Sequence, residues 1–235
     1  MKGSLLTGVA AVGLTTLIAM PAAHATLALE FIQGGSTLTV LDNGPGDTNP
    51  TVGMIGIASG TTVGSYTVTN AGSVGFPSVG SSTSPVIDMN SLEVTNTGSP
   101  GSLRILVSET DFATSGPVLF NGQVGGTMTT TSLSYNAFLN PGNGLFAETT
   151  AIDGSTGLSF DTSPFSGSMT GTRNTAPLYS LTEEVDVTGS GSGQLVSFDA
   201  QLTGRPVPEP ASLALFGTAL AGLGLLRRRR RRHAM

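Results

Sequence analysis

The chain has 235 residues, a net charge of −5, no cysteine and no tryptophan. The missing cysteine excludes disulfides, thiol nucleophiles and Cys-based zinc sites. Both histidines, His24 and His233, and the only lysine, Lys2, lie in terminal segments. The region between them has no group for a Ser-His-Asp, Cys-His or Ser-Lys arrangement.

Met1-Lys2-Gly3 is a short basic start, Leu5 to Met20 is apolar, and Pro21 ends that run. Ala23-His24-Ala25 is a small-residue cleavage site, so residues 1–25 are expected to form a secretory signal peptide cut after Ala25. Residues 26–206 then form the exported domain. Three arginines there, Arg104, Arg173 and Arg205, stand against 14 carboxylates, which leaves −11. Such a surface opposes nucleic-acid binding and favours solubility and divalent cations.

Gly, Ser, Thr and β-branched residues dominate this region, and strand-like runs recur between turn residues. Thr26 to Gln33 and Ser36 to Leu41 predict two strands around Gly34-Gly35. A turn-rich loop, Asp42 to Asp47, follows. Val52 to Ala58 and Val63 to Thr69 predict a hairpin about Ser59-Gly60. Leu92 to Asn96 and Leu103 to Ser108 flank Gly98-Ser99-Pro100-Gly101. Thr127 to Tyr135 reads as a half-polar surface strand, Asn140 to Gly144 as a turn, and Phe146 to Ile152 as a strand. Tyr179 to Thr188 and Leu195 to Leu202 predict a last hairpin across Gly189 to Gly193. In it Val196, Phe198, Ala200 and Leu202 face inward. Glu183 falls on the apolar face, which suggests a bulge or an edge. About a dozen short strands without intervening helices predict an all-β fold, a single β-sandwich, with a barrel as the alternative.

Carboxylates carry whatever chemistry remains. Asp42 and Asp47 share a loop with Asn43 and offer oxygen ligands of the kind calcium takes, although the spacing is not that of an EF-hand. The same residues also serve a plain β-turn. Glu109 and Asp111 are two apart and share a face if the chain is extended, the arrangement a glycan hydrolase needs from paired carboxylates. Without tryptophan, and with tyrosine only at 66, 135 and 179, sugar-stacking platforms are scarce. Glu183, Glu184 and Asp186 form a further acidic cluster within conceivable reach of Arg173. No catalytic residue is assigned, and the chain is expected not to be an enzyme.

The tail is the most specific segment. Arg205-Pro206 leads into Val207, Pro208, Glu209 and Pro210, and Ala211 to Leu226 is apolar. The basic stop follows as Arg227, Arg228, Arg229, Arg230, Arg231 and Arg232. As a helix, residues 211–226 would rise about 24 Å, short of a hydrocarbon core of about 30 Å unless arginine stems snorkel. A basic cluster of this kind stays cytoplasmic and leaves the bulk of the chain outside.

Motif, apolar run and arginine cluster together resemble the PEP-CTERM sorting signal over residues 207–235. The resemblance implies recognition at the inner membrane by exosortase, a membrane protease-transpeptidase. It also implies a setting of exopolysaccharide and biofilm matrix in Gram-negative bacteria, with the processed chain at the cell surface or outside the cell. A structural or adhesive surface protein is the leading expectation. A carboxylate-dependent glycan hydrolase and a calcium-stabilised binding module are the alternatives.

Overall fold

A computed structural model describes residues 25–154, 157–208 and 215–221. Among these, fourteen strands form two antiparallel sheets. In chain order they are β1 (Leu27–Gln33), β2 (Ser36–Leu41), β3 (Met54–Gly56), β4 (Thr61–Val63), β5 (Tyr66–Val74), β6 (Val86–Asn96) and β7 (Gly101–Phe112). They continue as β8 (Gly116–Met128), β9 (Ser132–Asn140), β10 (Thr150–Ala151), β11 (Leu158–Phe160), β12 (Phe165–Thr175), β13 (Tyr179–Gly189) and β14 (Gln194–Pro206).

Sheet A has the order β10-β9-β13-β7-β1-β2, with β11 on β9. Sheet B has the order β12-β8-β14-β6-β5-β3, with β4 on β5. One apolar cluster draws on both sheets: Phe31, Ile105, Val107 and Tyr135 from sheet A, and Val68, Ile87, Phe120 and Phe198 from sheet B. Two open sheets sharing a core make a β-sandwich, not the barrel alternative.

Period-2 patterning explains the strands that were legible. On β14, Val196, Phe198, Ala200 and Leu202 are buried as expected. The expected pairings fare less well. The last two long strands are not a hairpin, because β13 belongs to sheet A and β14 to sheet B. The Gly-Ser loop between them carries the chain from one sheet to the other. Thr97 to Pro100 does the same between β6 and β7. The expected surface strand over 127–135 is broken at Thr129 to Thr131, where the chain passes from β8 to β9 and changes sheet.

The hairpin expected about Ser59-Gly60 instead turns at Gly64-Ser65, where β4 meets β5. The short β3 pairs with the far end of the same strand. Of Phe146 to Ile152 only Thr150–Ala151 is strand. The last strand runs on to Pro206 rather than stopping at Leu202.

Glu183 also departs from the expected edge or bulge. It lies neither at an edge nor at a bulge but on β13, between β9 and β7, and is wholly buried. The register shift of that strand falls earlier, between Tyr179 and Leu181.

Strand ends group at two poles. Pro206 stands opposite Val118 near the start of β8. Leu27 stands opposite Glu109 near the end of β7. Phe112 and Gly116 are joined by three residues, so both termini of the sandwich leave from one pole.

Candidate functional site

The sorting segment grows directly out of β14. Gly204 N–H donates to Pro85 O at 2.9 Å, and Val207 N–H donates to Pro117 O at 2.8 Å. Hydrogen bonding to the body thus continues through the first residue of the motif. Val207 and Pro208 are exposed, and proline fixes φ and cannot enter a ladder as donor. Glu209, Pro210, Arg227 to Arg232 and the cleavage residue Ala23 lie outside the described residues. Ala25 is described, one residue before Thr26, whose N–H donates to Thr110 Oγ1 at 3.1 Å. Within the apolar run, residues 215–221 are helical and exposed. Among the described residues no helix is long and apolar enough to cross a membrane.

A second feature was not visible in the sequence. The outer face of sheet B holds a groove of about 700 Å³. One row of outward side chains crosses four strands in register: Ser168 on β12, Gln123 on β8, Gln201 on β14 and Asp88 on β6. The next row places Ser166, Gly125 and Asp199 side by side. Gly125 has no side chain, so the floor between Ser166 and Asp199 stays open.

Gln201 Nε2 donates to Asp88 Oδ2 at 2.8 Å. Ser91 N–H donates to Asp199 Oδ1 at 2.5 Å, made possible by the register shift between Phe198 and Ala200 and by Ser91 at φ 49°. Burial pushes the Asp88 carboxyl up, the Gln201 bond opposes this, and the Asp199 charge adds to it. Alternation with the inward Phe198, Ala200 and Leu202 puts Asp199 and Gln201 outward on the last strand. Their neighbours come from β6, β8 and β12, and only the pairing brings them together.

The carboxylates singled out in the sequence have definite positions. Asp42 and Asp47 form a loop whose four carboxylate oxygens all accept hydrogen bonds. Asp47 Oδ1 accepts from Asn49 and Gly56 N–H at 2.8 and 2.9 Å, and its Oδ2 accepts from Asn43 N–H at 2.8 Å. Asp42 Oδ2 accepts from Gly53 N–H at 2.8 Å, and its Oδ1 accepts from Asn43 Nδ2 at 2.9 Å. Among the described residues no group of three or more His, Cys, Asp or Glu is arranged to hold a metal ion.

Glu109 and Asp111 do not share a face, because the backbone turns at Asp111, φ 66°. Asp111 bonds outward to Asn143 Nδ2 at 2.7 Å. Glu109 points into the core, wholly buried, and its Oε1 accepts from Phe76 N–H at 2.8 Å. Its Oε2 has no partner among the described residues. Burial pushes the Glu109 carboxyl up from 4.5 to about 8, with the Asp42 charge adding to the rise and the Phe76 bond opposing it.

The acidic cluster divides between the two faces of sheet A. Glu183 faces inward, where Tyr135 OH donates to its Oε1 at 2.7 Å. Burial raises both groups well above their ordinary values. Glu184 faces outward and is paired with Arg104, which also meets Glu148. Arg173, the partner conceivable from sequence, instead donates to Ala151 O at 2.7 Å. Arg104 wins because Asp186 stands directly opposite it in the β13–β7 register, with Glu184 two residues along on the same face.

The chain matches the PEP-CTERM protein-sorting motif over residues 206–231. No curated protein matches it. Among solved structures, the adhesin domain of Epf from Streptococcus pyogenes is 11% identical with a TM-score of 0.36, covering 76% of this chain and 57% of that one. A xylan-binding domain from Paenibacillus barcinonensis is 11% identical with a TM-score of 0.32, covering 67% and 89%. Tailspike protein 4 of bacteriophage CBA120 is 15% identical with a TM-score of 0.31, covering 57% of this chain, which spans only 18% of the tailspike chain. At these scores the likeness says nothing of ligand or activity. The motif is the specific finding: it supports a PEP-CTERM domain-containing protein, and it implies export, anchoring at the membrane and processing by exosortase.

Proposed function

We propose that the chain is a non-enzymatic surface protein of an exopolysaccharide matrix, and that the groove on sheet B is where it meets the polymer. The two in-register rows of outward groups carry this reading. Ser, Gln and Asp side chains at strand spacing of about 4.8 Å offer donors and acceptors over about 14 Å from β12 to β6. That array suits a neutral, hydroxyl-rich chain laid across the strands. The three tyrosines are all buried, so no exposed tyrosine supplies a stacking face and hydrogen bonds carry the contact. Each is worth about 1 kcal/mol net, so one groove binds weakly and a surface crowded with copies binds through avidity.

Residues 211–226 span the inner membrane until exosortase cuts near Pro208-Glu209-Pro210, with Arg227 to Arg232 on the cytoplasmic side. The polymer reading is tested by affinity electrophoresis of the mature protein in gels containing the host's own exopolysaccharide. Retardation is expected, and Gln123→Ala combined with Gln201→Ala abolishes it. Equal mobility with and without polymer refutes the reading. The sorting reading is tested separately by intact mass of the cell-derived protein, which must lack the arginine tail.

A further inference from the structure

Outside residues 215–221, every large hydrophobic side chain that stands exposed among the described residues lies toward one pole. They are Leu41, Val52, Leu119, Leu178 and Val207, between 39% and 47% exposed. Leu41 ends β2, opposite Ala28 at the start of β1. Val52 sits beside it, since Gly53 N–H bonds Asp42 Oδ2 at 2.8 Å. Leu178 immediately precedes β13, whose first residue faces Phe112. Leu119, near the start of β8, stands opposite Arg205 on β14, and Val207 follows two residues later. This is the pole from which the sorting tail leaves. The loops at the opposite pole are polar: 34–35, 64–65, 97–100, 129–131 and 189–193 are Gly, Ser, Thr or Pro throughout, and Asp161 to Pro164 joins them between β11 and β12.

Chain length decides what this pole faces. Val207 is still hydrogen-bonded to Pro117, and the apolar run begins at Ala211. Four Cα steps reach at most about 14 Å. The headgroup layer on one side of a bilayer takes up roughly 5–8 Å of that. A sandwich tethered so closely cannot stand clear of the surface. The carboxylates at this pole, Asp42, Asp47 and Asp111, are held by internal N–H groups. Arg205 is exposed there, next to Leu119 in register.

We infer that, before processing, this pole is a lipid-facing surface: Val52, Leu178, Leu41 and Leu119 rest in the headgroup–acyl boundary, with Arg205 at the phosphates. Apolar side chains ringed by polar groups at an interface behave this way. The contact orients the sandwich and presents Val207 and Pro208 at the bilayer surface, at the level of a membrane-embedded protease. The inference rests on the membrane-anchoring reading above.

The chain contains no tryptophan, so single Trp reporters are read without background. The full chain carrying Val52→Trp, Leu178→Trp or, at the far pole, Ser192→Trp is reconstituted into phosphatidylethanolamine vesicles doped with brominated phosphatidylcholine. Co-flotation with the vesicles reports the anchor, and bromine quenching reports the pole. The expected result is co-flotation of all three, with positions 52 and 178 losing most of their emission and 192 unchanged. Co-flotation without quenching at 52 and 178 overturns the lipid-facing pole and leaves the anchor standing. Quenching at 192 equal to that at 52 also overturns it. Failure to float overturns the anchor and the pole together. A response at 52 and 178 that needs added exosortase assigns the surface to the protease and overturns the lipid assignment.

Discussion

Glu109→Gln tests whether the sandwich holds a neutral carboxylic acid in its core. Burial, with help from Asp42, pushes Glu109 from 4.5 to about 8. Between those values the folded protein keeps a proton that the unfolded chain has released, so stability falls as pH rises. Below 4.5 both states are protonated, above about 8 both are ionised, and the dependence disappears. At about 1.4 kcal/mol per pKa unit the gap corresponds to at most roughly 5 kcal/mol. Glutamine keeps the shape and the acceptor for Phe76 N–H while removing the titration. The variant is therefore expected to match the wild type within about 1 kcal/mol at pH 4 and to exceed it by several kcal/mol at pH 9. For a domain of this size that is a Tm difference on the order of 10 °C. Differential scanning calorimetry of both proteins from pH 4 to 9 measures it. A Tm difference that stays constant across that range would refute the reasoning, because it would mean that Glu109 ionises at the same pH folded and unfolded.

Tyr135→Phe leaves the buried Glu183 without its hydroxyl donor and is expected to cost about 1–3 kcal/mol in urea unfolding. The loss should be largely recovered when Glu183→Leu is added, and a purely additive double variant would contradict the pairing. Arg104→Ala leaves Glu184, whose side chain is only 6% exposed, without a cation and with Asn136 Nδ2 as its remaining side-chain donor. It should lower stability by about 1–3 kcal/mol in guanidinium titration, with Arg104→Lys recovering only part because the two-carboxylate fork is lost. Gly171→Ala drives a methyl into the Ile152 carbonyl and is expected to yield little soluble protein. Gly34→Ala meets nothing within 4 Å and should cost only the strain of φ 59°, about 1 kcal/mol.

Local patterning was readable where alternation was uninterrupted. Val196 to Leu202 on β14 and Leu181 to Val187 on β13 announced strands, and the apolar face of each is buried, with Thr182 and Glu184 on the other face of β13 buried as well. β8 carries the same signal in Val118, Phe120, Val124 and Met128, but Gly122 and Gly126 fill the inward positions between them and hide the period. Gly122 is glycine because Tyr135 OH from the facing sheet would lie 2.8 Å from a Cβ there, a reason that exists only in three dimensions. β12 is fainter still, with Phe165 and Met169 as its buried apolar residues.

Pairing was not readable, because a glycine-rich loop closes a hairpin or crosses a sandwich with equal ease. This is why Gly189 to Gly193 misled. The sorting motif was legible as sequence, and the family motif matches it over residues 206–231. The groove was not, because Asp88, Gln123, Ser166 and Gln201 become neighbours only through sheet order.

The attachment of the tail to β14 also determines how the molecule bears load. This strand is flanked on both sides, by eleven register pairs with β8 and nine with β6. Tension drawn through Val207 along the strand loads those ladders in shear, so many hydrogen bonds must fail at once rather than one after another. Had the tail left from an edge strand such as β12 or β2, the same pull would have peeled a single ladder. Gln201 lies on the same strand, five residues before Pro206, so a load applied at the groove and one applied through Val207 would both be carried by β14. The force path would then bypass the loops and the glycine-rich pole entirely. A pull on the tail therefore meets a clamp and not a zip.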